Sequence, residues 1–157
     1  MLFKVLSIAC LMPLIGYDLL TSVGGGFSVF NVNYQTASWV VLAFPIALAL
    51  GTITLNLWTV HIFSLSGPAV ILQIFWLVAF SYDCYTTFLG VIGFMSGGGF
   101  LYFPHNSIWE ATRSLDLERI AVALGAAVFV VISPMTANII FTEPGKRFSN
   151  SNDSNSD

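Results

Sequence analysis

The sequence predicts an all-α polytopic membrane protein in which four transmembrane helices form a tandem repeat of two helix–Gly-rich loop–helix units. Three observations lead to this prediction: a very apolar composition, four long uncharged runs, and short motifs that recur in the same order. Of the 157 residues, 56% are hydrophobic and 8% are charged, and the mean hydropathy is +0.83. Soluble domains carry roughly 25% charged residues. The composition therefore excludes a soluble enzyme domain, a disordered protein and a basic nucleic-acid binder.

The uncharged runs are long enough to cross a bilayer. No formally charged residue occurs between Leu19 and Tyr82, and a second uncharged run extends from Ile120 to Thr142. A helix needs about 20 apolar residues to cross the hydrocarbon core. Four stretches meet this requirement, at about 2–23, 38–60, 67–94 and 117–141. We therefore predict one transmembrane domain over residues 1–148 and a disordered polar tail over residues 149–157.

The few basic residues favour one orientation of this integral, multi-pass protein. An even number of spans places both termini on the same side of the membrane. That side would carry Lys4, Lys146 and Arg147, and the opposite side would carry Arg113 and Arg119. Because cytoplasmic loops are enriched in lysine and arginine, this bias predicts cytoplasmic termini. The first predicted partner of the chain is the lipid bilayer, and no nucleic-acid partner is expected.

Three short motifs recur in order along the chain, which predicts an internal duplication. The repeated segments are Tyr17-Asp18-x-x-Thr21-Ser22 with Tyr82-Asp83-x-x-Thr86-Thr87 (offset 65), Gly24-Gly25-Gly26-Phe27 with Gly97-Gly98-Gly99-Phe100 (offset 73), and Thr54-x-Asn56 with Thr136-x-Asn138 (offset 82). The repeat units would cover about 1–62 and 67–142. Each unit holds two spans, so both would insert the same way and be related by a pseudo-twofold axis along the membrane normal.

Asp18 and Asp83 are the carboxylates that fall within the predicted spans. Each lies 16 residues after its predicted helix start, which at a rise of about 1.5 Å per residue corresponds to a depth of about 24 Å. This depth is in the outer part of a hydrocarbon core that is about 30 Å thick. Hydroxyl residues follow each aspartate at i+3 and i+4, on the same helix face.

Two interpretations of these aspartates remain open. They could line a cation or proton pathway, because intramembrane carboxylates usually face a bundle interior or a water-filled cavity. Alternatively, they could form a structural clasp that binds the free backbone amides of the adjoining glycine loops, since lipid offers those amides no partner. The preceding tyrosines, Tyr17 and Tyr82, are expected near the membrane interface.

The glycine motifs and the two asparagines have simpler expected roles. The glycine motifs lack the lysine and hydroxyl residue of a phosphate-binding loop, so we expect them to form loops at the outer interface rather than a nucleotide site. Asn56 and Asn138 fall late in the second and fourth spans, near the inner face, where amide side chains commonly join helices.

The sequence offers no catalytic residues, no metal ligand set and no cofactor motif. His61 and His105 fall on opposite sides of the predicted membrane, and no nucleophile–base arrangement is visible. We therefore expect a non-enzymatic scaffold or accessory subunit of a membrane assembly, with a second copy or another membrane protein as partner. The alternative is a cation or proton channel or transporter that uses the duplicated aspartates.

Overall fold

The computed structural model describes residues 2–33, 35–64, 70–96, 108–113 and 115–141, and all six elements within them are helices. They are α1 (Leu2–Val29), α2 (Trp39–Leu57), α3 (Thr59–Ser64), α4 (Val70–Met95), α5 (Ile108–Arg113) and α6 (Leu117–Phe141). Four of these helices, α1, α2, α4 and α6, are long and apolar enough to cross a membrane. The prediction of an all-helical chain with four such helices is confirmed. The predicted polar tail at 149–157 lies outside the described residues.

The first predicted glycine loop is wrong, because Gly24, Gly25 and Gly26 are helical and buried within α1. The helix continues to Val29, and two residues later Asn31 adopts the left-handed conformation with φ 50°. The amide of Val32 donates to the carbonyl of Phe27, and the amide of Asn31 donates to that of Ser28. This is a Schellman-type C-cap, in which asparagine can take the position usually held by glycine.

The limits of the apolar spans in α1 and α4 place the two aspartates closer to the middle of their helices than the predicted spans did. Asp18 lies nine residues after Ala9 and eleven before Val29, the limits of the apolar span in α1. Asp83 lies thirteen residues after Val70 and twelve before Met95 in α4. Both carboxyl groups are therefore near the middle of their spans rather than in the outer part.

Helices α1 and α4 form the most extensive helix pair, and α2 and α6 pack against both of them. An apolar cluster fills the space between α4 and α6 and includes Phe88, Ile92, Ala123 and Ala127. The outward faces of the long helices are also apolar, with side chains such as Phe75 and Phe129 about 60% exposed. A chain with an apolar exterior on every long helix has the surface that a hydrocarbon environment requires.

Candidate functional site

The centre of the helix bundle is a cluster of polar side chains rather than apolar ones. Its members are fully or almost fully buried, with 5% exposure at most. They come from α1, α2 and α4, and are Asp18, Thr21, Ser22, Thr52, Asn56, Asp83, Thr86 and Thr87. Because an unpaired buried polar group is costly, the hydrogen bonds within this polar core determine what it can do.

Helices α1 and α4 approach so closely at this point that two glycines contact the backbone of the opposite helix. A Cβ atom added at Gly25 would fall on the carbonyl oxygen of Thr86, and one added at Gly90 would fall on the carbonyl oxygen of Thr21. The two contacts are reciprocal, because both glycines and both threonines are separated by 65 residues. Small residues that allow such backbone contact are typical of helix pairs in membranes.

The carboxyl group of Asp83 is bound by side chains from two other helices. The hydroxyl of Ser22 in α1 donates to Oδ1 at 2.6 Å, and Nδ2 of Asn56 in α2 donates to Oδ2 at 2.7 Å. The hydroxyl of Thr52 lies 3.3 Å from Oδ1 and 2.9 Å from the carbonyl oxygen of Ala49 in its own helix. Asp83 therefore joins three of the four long helices.

The carboxyl group of Asp18 has a poorer environment. Oγ1 of Thr87 in α4 lies within hydrogen-bonding distance of its Oδ1, at 3.1 Å. Its second oxygen, Oδ2, is buried without a hydrogen-bond partner among the described residues. Asp18 is nonetheless completely inaccessible, as is Asp83. The two aspartates thus occupy equivalent positions on α1 and α4 but differ in the number of donors that reach them.

A contact between two hydroxyls connects the two carboxyl groups. Oγ of Ser22 lies 2.8 Å from Oγ1 of Thr87. The oxygens of Asp83, Ser22, Thr87 and Asp18 therefore form one continuous chain across the α1–α4 crossing. We call these four oxygens the oxygen chain.

The hydroxyls at i+3 do not bind the carboxylates. Thr21 donates to the backbone carbonyls of Tyr17 and Asp18, and Thr86 donates to those of Tyr82 and Asp83. The hydroxyls at i+4, by contrast, bind the aspartate of the opposite helix instead of their own. The described contacts of the two carboxyl groups are therefore interhelical, and none of them is with an amide of Gly24 to Gly26. The expected contacts to the second glycine segment lie outside the described residues.

The tyrosines and the second asparagine lie outside the oxygen chain. Tyr17 packs its ring edge-on against Phe94, with ring centroids 6.4 Å apart. Tyr82 lines an apolar groove of about 340 Å³ between α2 and α4. Asn138 lines a separate groove of about 450 Å³ together with Trp58 and His61.

The glycine segments are divided between described and undescribed residues. Phe27 is buried within α1, and Gly26 contacts Pro45 of α2 closely. The second segment, Gly97 to Phe100, lies outside the described residues, so its predicted loop stays a prediction.

Two residues of this region, and one buried serine of α6, were missed by the sequence interpretation. Gly90 lies 65 residues after Gly25, the same offset as the two aspartates, and this spacing was the available signal. Thr52 precedes Asn56 by four residues, which places both on one face of α2. Ser133 of α6 is buried with its hydroxyl unpartnered among the described residues, and no pattern in the sequence distinguishes it.

The groups in the polar core are suited to hydrogen bonding and proton exchange. Among the described residues, no group of three histidine, cysteine, aspartate or glutamate side chains is arranged to hold a metal ion. The described contacts of Asp18 and Asp83 are with hydroxyl and amide groups, and none is with a cationic side chain. No protein-family model, curated protein or solved structure is significantly similar to this chain.

Proposed function

We propose that this chain is a small multi-pass membrane protein with a non-enzymatic role, as a scaffold or accessory subunit of a membrane assembly. The observation that carries the proposal is the complete burial of both carboxyl groups between helices, with Asp83 bound from α1 and α2. A carboxylate used in this way holds helices in register instead of meeting a solute. The partner would be a second copy or another membrane protein.

The energetic reason lies in the environment of the helices. Lipid provides no hydrophobic driving force between apolar helices, so association depends on close packing and interhelical hydrogen bonds. The reciprocal glycine contacts supply the packing, and the oxygen chain supplies the bonds. A bundle held together at its centre leaves its outer faces available for lipid and for partners.

The experiment compares stability and transport in the same preparations. Asp83→Asn should lower the free energy of unfolding by about 1.5–3 kcal/mol, the usual contribution of a hydrogen bond to a charged group. Liposomes containing the wild type or this variant should show the same proton and cation leak as empty liposomes. Asp116→Asn, at an exposed position, is the matched control and should change neither property. An Asp83→Asn variant that retains wild-type stability but abolishes a measured flux would contradict the scaffold role.

A cation or proton channel or transporter is the second candidate, and one observation favours it. Oδ2 of Asp18 and the hydroxyl of Ser133 are both buried polar groups without a partner among the described residues. Such groups are rare in structures unless they serve a purpose. Flux that depends on Asp18 but not on Asp116 would support this function.

We further propose that the chain arose by duplication and that its termini are cytoplasmic. The offset of 65 residues that relates the two aspartates also relates the two glycine contacts and the two cross-helix hydroxyl bonds, which supports the duplication.

The proposed orientation of the termini rests on the distribution of the basic residues. Membrane-impermeant thiol labelling from outside should reach a cysteine placed at position 31 and not one at position 152, and the opposite pattern would reverse the orientation.

A further inference from the structure

The oxygen chain contains three oxygen–oxygen contacts, but its two hydroxyl groups have only two protons to donate. Three contacts join the four oxygens: 2.6 Å from Asp83 to Ser22, 2.8 Å from Ser22 to Thr87, and 3.1 Å from Thr87 to Asp18. A hydroxyl has one proton to donate, so the two hydroxyls provide two protons. If both carboxyl groups were ionised, one contact would place two lone pairs against each other.

We propose that the polar core is a proton-binding site that holds one proton, carried by Asp18, while Asp83 is ionised. Asp18 then donates from Oδ1 to Thr87, Thr87 donates to Ser22, and Ser22 donates to Asp83. All three contacts become hydrogen bonds that run in one direction. Buried polar networks are favourable only when every member is satisfied in this way.

The surroundings of the two carboxyl groups determine which one is protonated. Asp83 accepts from Ser22 and Asn56, with Thr52 close by, and these donors stabilise a negative charge. Asp18 has a single side-chain neighbour in the oxygen chain and an unpartnered Oδ2. An unpartnered carbonyl oxygen of a neutral acid is far less costly in an apolar interior than an unpartnered carboxylate oxygen.

The charges nearby do not favour a second ionised carboxylate. The other titratable side chains within two residues of Asp18 or Asp83 are Tyr17, Tyr82, Cys84 and Tyr85, and α2 has no formally charged residue. On α6, Glu118 and Arg119 are exposed in the first turn. Two buried carboxylates with no cation among their described contacts would repel each other, and one bound proton removes this repulsion.

The oxygen chain can transfer a proton in either direction between Asp18 and Asp83. In one direction, each group passes its own proton to its neighbour. Asp18 gives its proton to Thr87, Thr87 gives its hydroxyl proton to Ser22, and Ser22 gives its hydroxyl proton to Asp83. One proton is transferred in total, and three hydrogen bonds remain. This inference does not depend on the proposed scaffold role, because the count of protons is the same in a scaffold and in a transporter.

The experiment is infrared spectroscopy of the purified full chain in lipid at neutral pH. Protein labelled with ¹³C in the aspartate carboxyl group should show one carboxylic-acid C=O band that shifts with the label. Asp18→Asn should remove this band, Asp83→Asn should retain it, and Asp116→Asn is the control that leaves it unchanged. Absence of the band in folded wild-type protein, two such bands, or loss of the band in Asp83→Asn alone would overturn the proposal.

A second variant keeps the test decisive if Asp18→Asn does not fold. Thr87→Val removes the hydroxyl that accepts from Asp18 and should shift the acid band, because the C=O stretch responds to the hydrogen bond of its O–H group. Thr54→Val, whose hydroxyl binds the carbonyl of Leu50 in the same helix, should leave the band in place. Equal spectra of the wild type and Thr87→Val would contradict the oxygen chain, whatever the results of the stability and flux measurements.

Discussion

Replacing Gly25 by alanine should disrupt the close crossing of α1 and α4. The added Cβ atom would fall on the backbone carbonyl of Thr86, and a backbone atom cannot turn aside as the end of a flexible side chain can. Helices α1 and α4 must therefore separate. Ser22 lies one turn earlier on the same face of α1, so the separation lengthens its hydrogen bond to Asp83 as well.

The expected size of this effect follows from three contributions. Overpacking a well-packed interior costs about 1–3 kcal/mol, and a hydrogen bond to a charged group contributes about 1.5–3 kcal/mol when it is intact. Against these losses, alanine favours the helix over glycine by at most about 1 kcal/mol. After the gain of about 1 kcal/mol is subtracted, we expect the Gly25→Ala variant to lose about 1.5–5 kcal/mol of its free energy of unfolding.

The assay is equilibrium unfolding of the purified chain in mixed micelles, followed by circular dichroism. Gly16→Ala is the matched control, because it is the same substitution in the same helix at a position with no atom within 4 Å of the added Cβ. The control should be as stable as the wild type or slightly more stable. If Gly25→Ala and Gly16→Ala unfold at the same denaturant concentration, the close crossing of α1 and α4 is refuted.

Two further matched pairs test the polar core. Ser22→Ala should lower the free energy of unfolding by about 1.5–3 kcal/mol, whereas Ser81→Ala, which removes an exposed hydroxyl bonded within its own helix, should change it by no more than about 0.5 kcal/mol. Thr52→Val should cost about 0.5–1.5 kcal/mol through its weak contact with Asp83, and Thr54→Val should cost less. Equal losses within either pair, measured by the same unfolding assay, would show that these contacts contribute nothing.

The four long helices could be predicted from the sequence because apolar length is a strong local signal. The fourth predicted span, 117–141, coincides with α6, and the third differs from α4 by three residues at its beginning and one at its end. Charges are so rare in this chain that each uncharged run stands out. The prediction depends on the apolar side chains along each helix and does not require knowledge of how the helices pack.

The end of α1 could not be predicted in the same way, because successive glycines occur both in turns and at close contacts between helices. In a soluble chain, three successive glycines such as Gly24 to Gly26 usually mark a turn. Between membrane-type helices, the absence of a side chain allows backbones to meet, and here Gly25 meets α4 while Gly26 meets α2. Local sequence does not distinguish the two cases, and only the position of the neighbouring helices does.

The polar core was partly visible in the sequence. The repeated Tyr-Asp-x-x-Thr motif identified both aspartates and the hydroxyls that follow them. The sequence interpretation sought their partners in the same helix or in the adjoining glycine segment, because a single sequence reveals only local spacing. The exchange of partners between Ser22 and Thr87 depends on the crossing of α1 and α4, and the position of Asn56 beside Asp83 depends on α2 packing at the same level.

The interhelical bond between Ser22 and Asp83 is the most direct test of the account, and a double-mutant cycle measures it. Free energies of unfolding are compared for the wild type, Ser22→Ala, Asp83→Asn and the double variant. Contacting residues in one network show coupling energies of about 0.5–3 kcal/mol, and we expect a value in this range. A parallel cycle that pairs Ser81→Ala with Asp83→Asn should be additive to within about 0.5 kcal/mol. Additivity in the Ser22 cycle as well would contradict the claim that these side chains clasp α1 to α4.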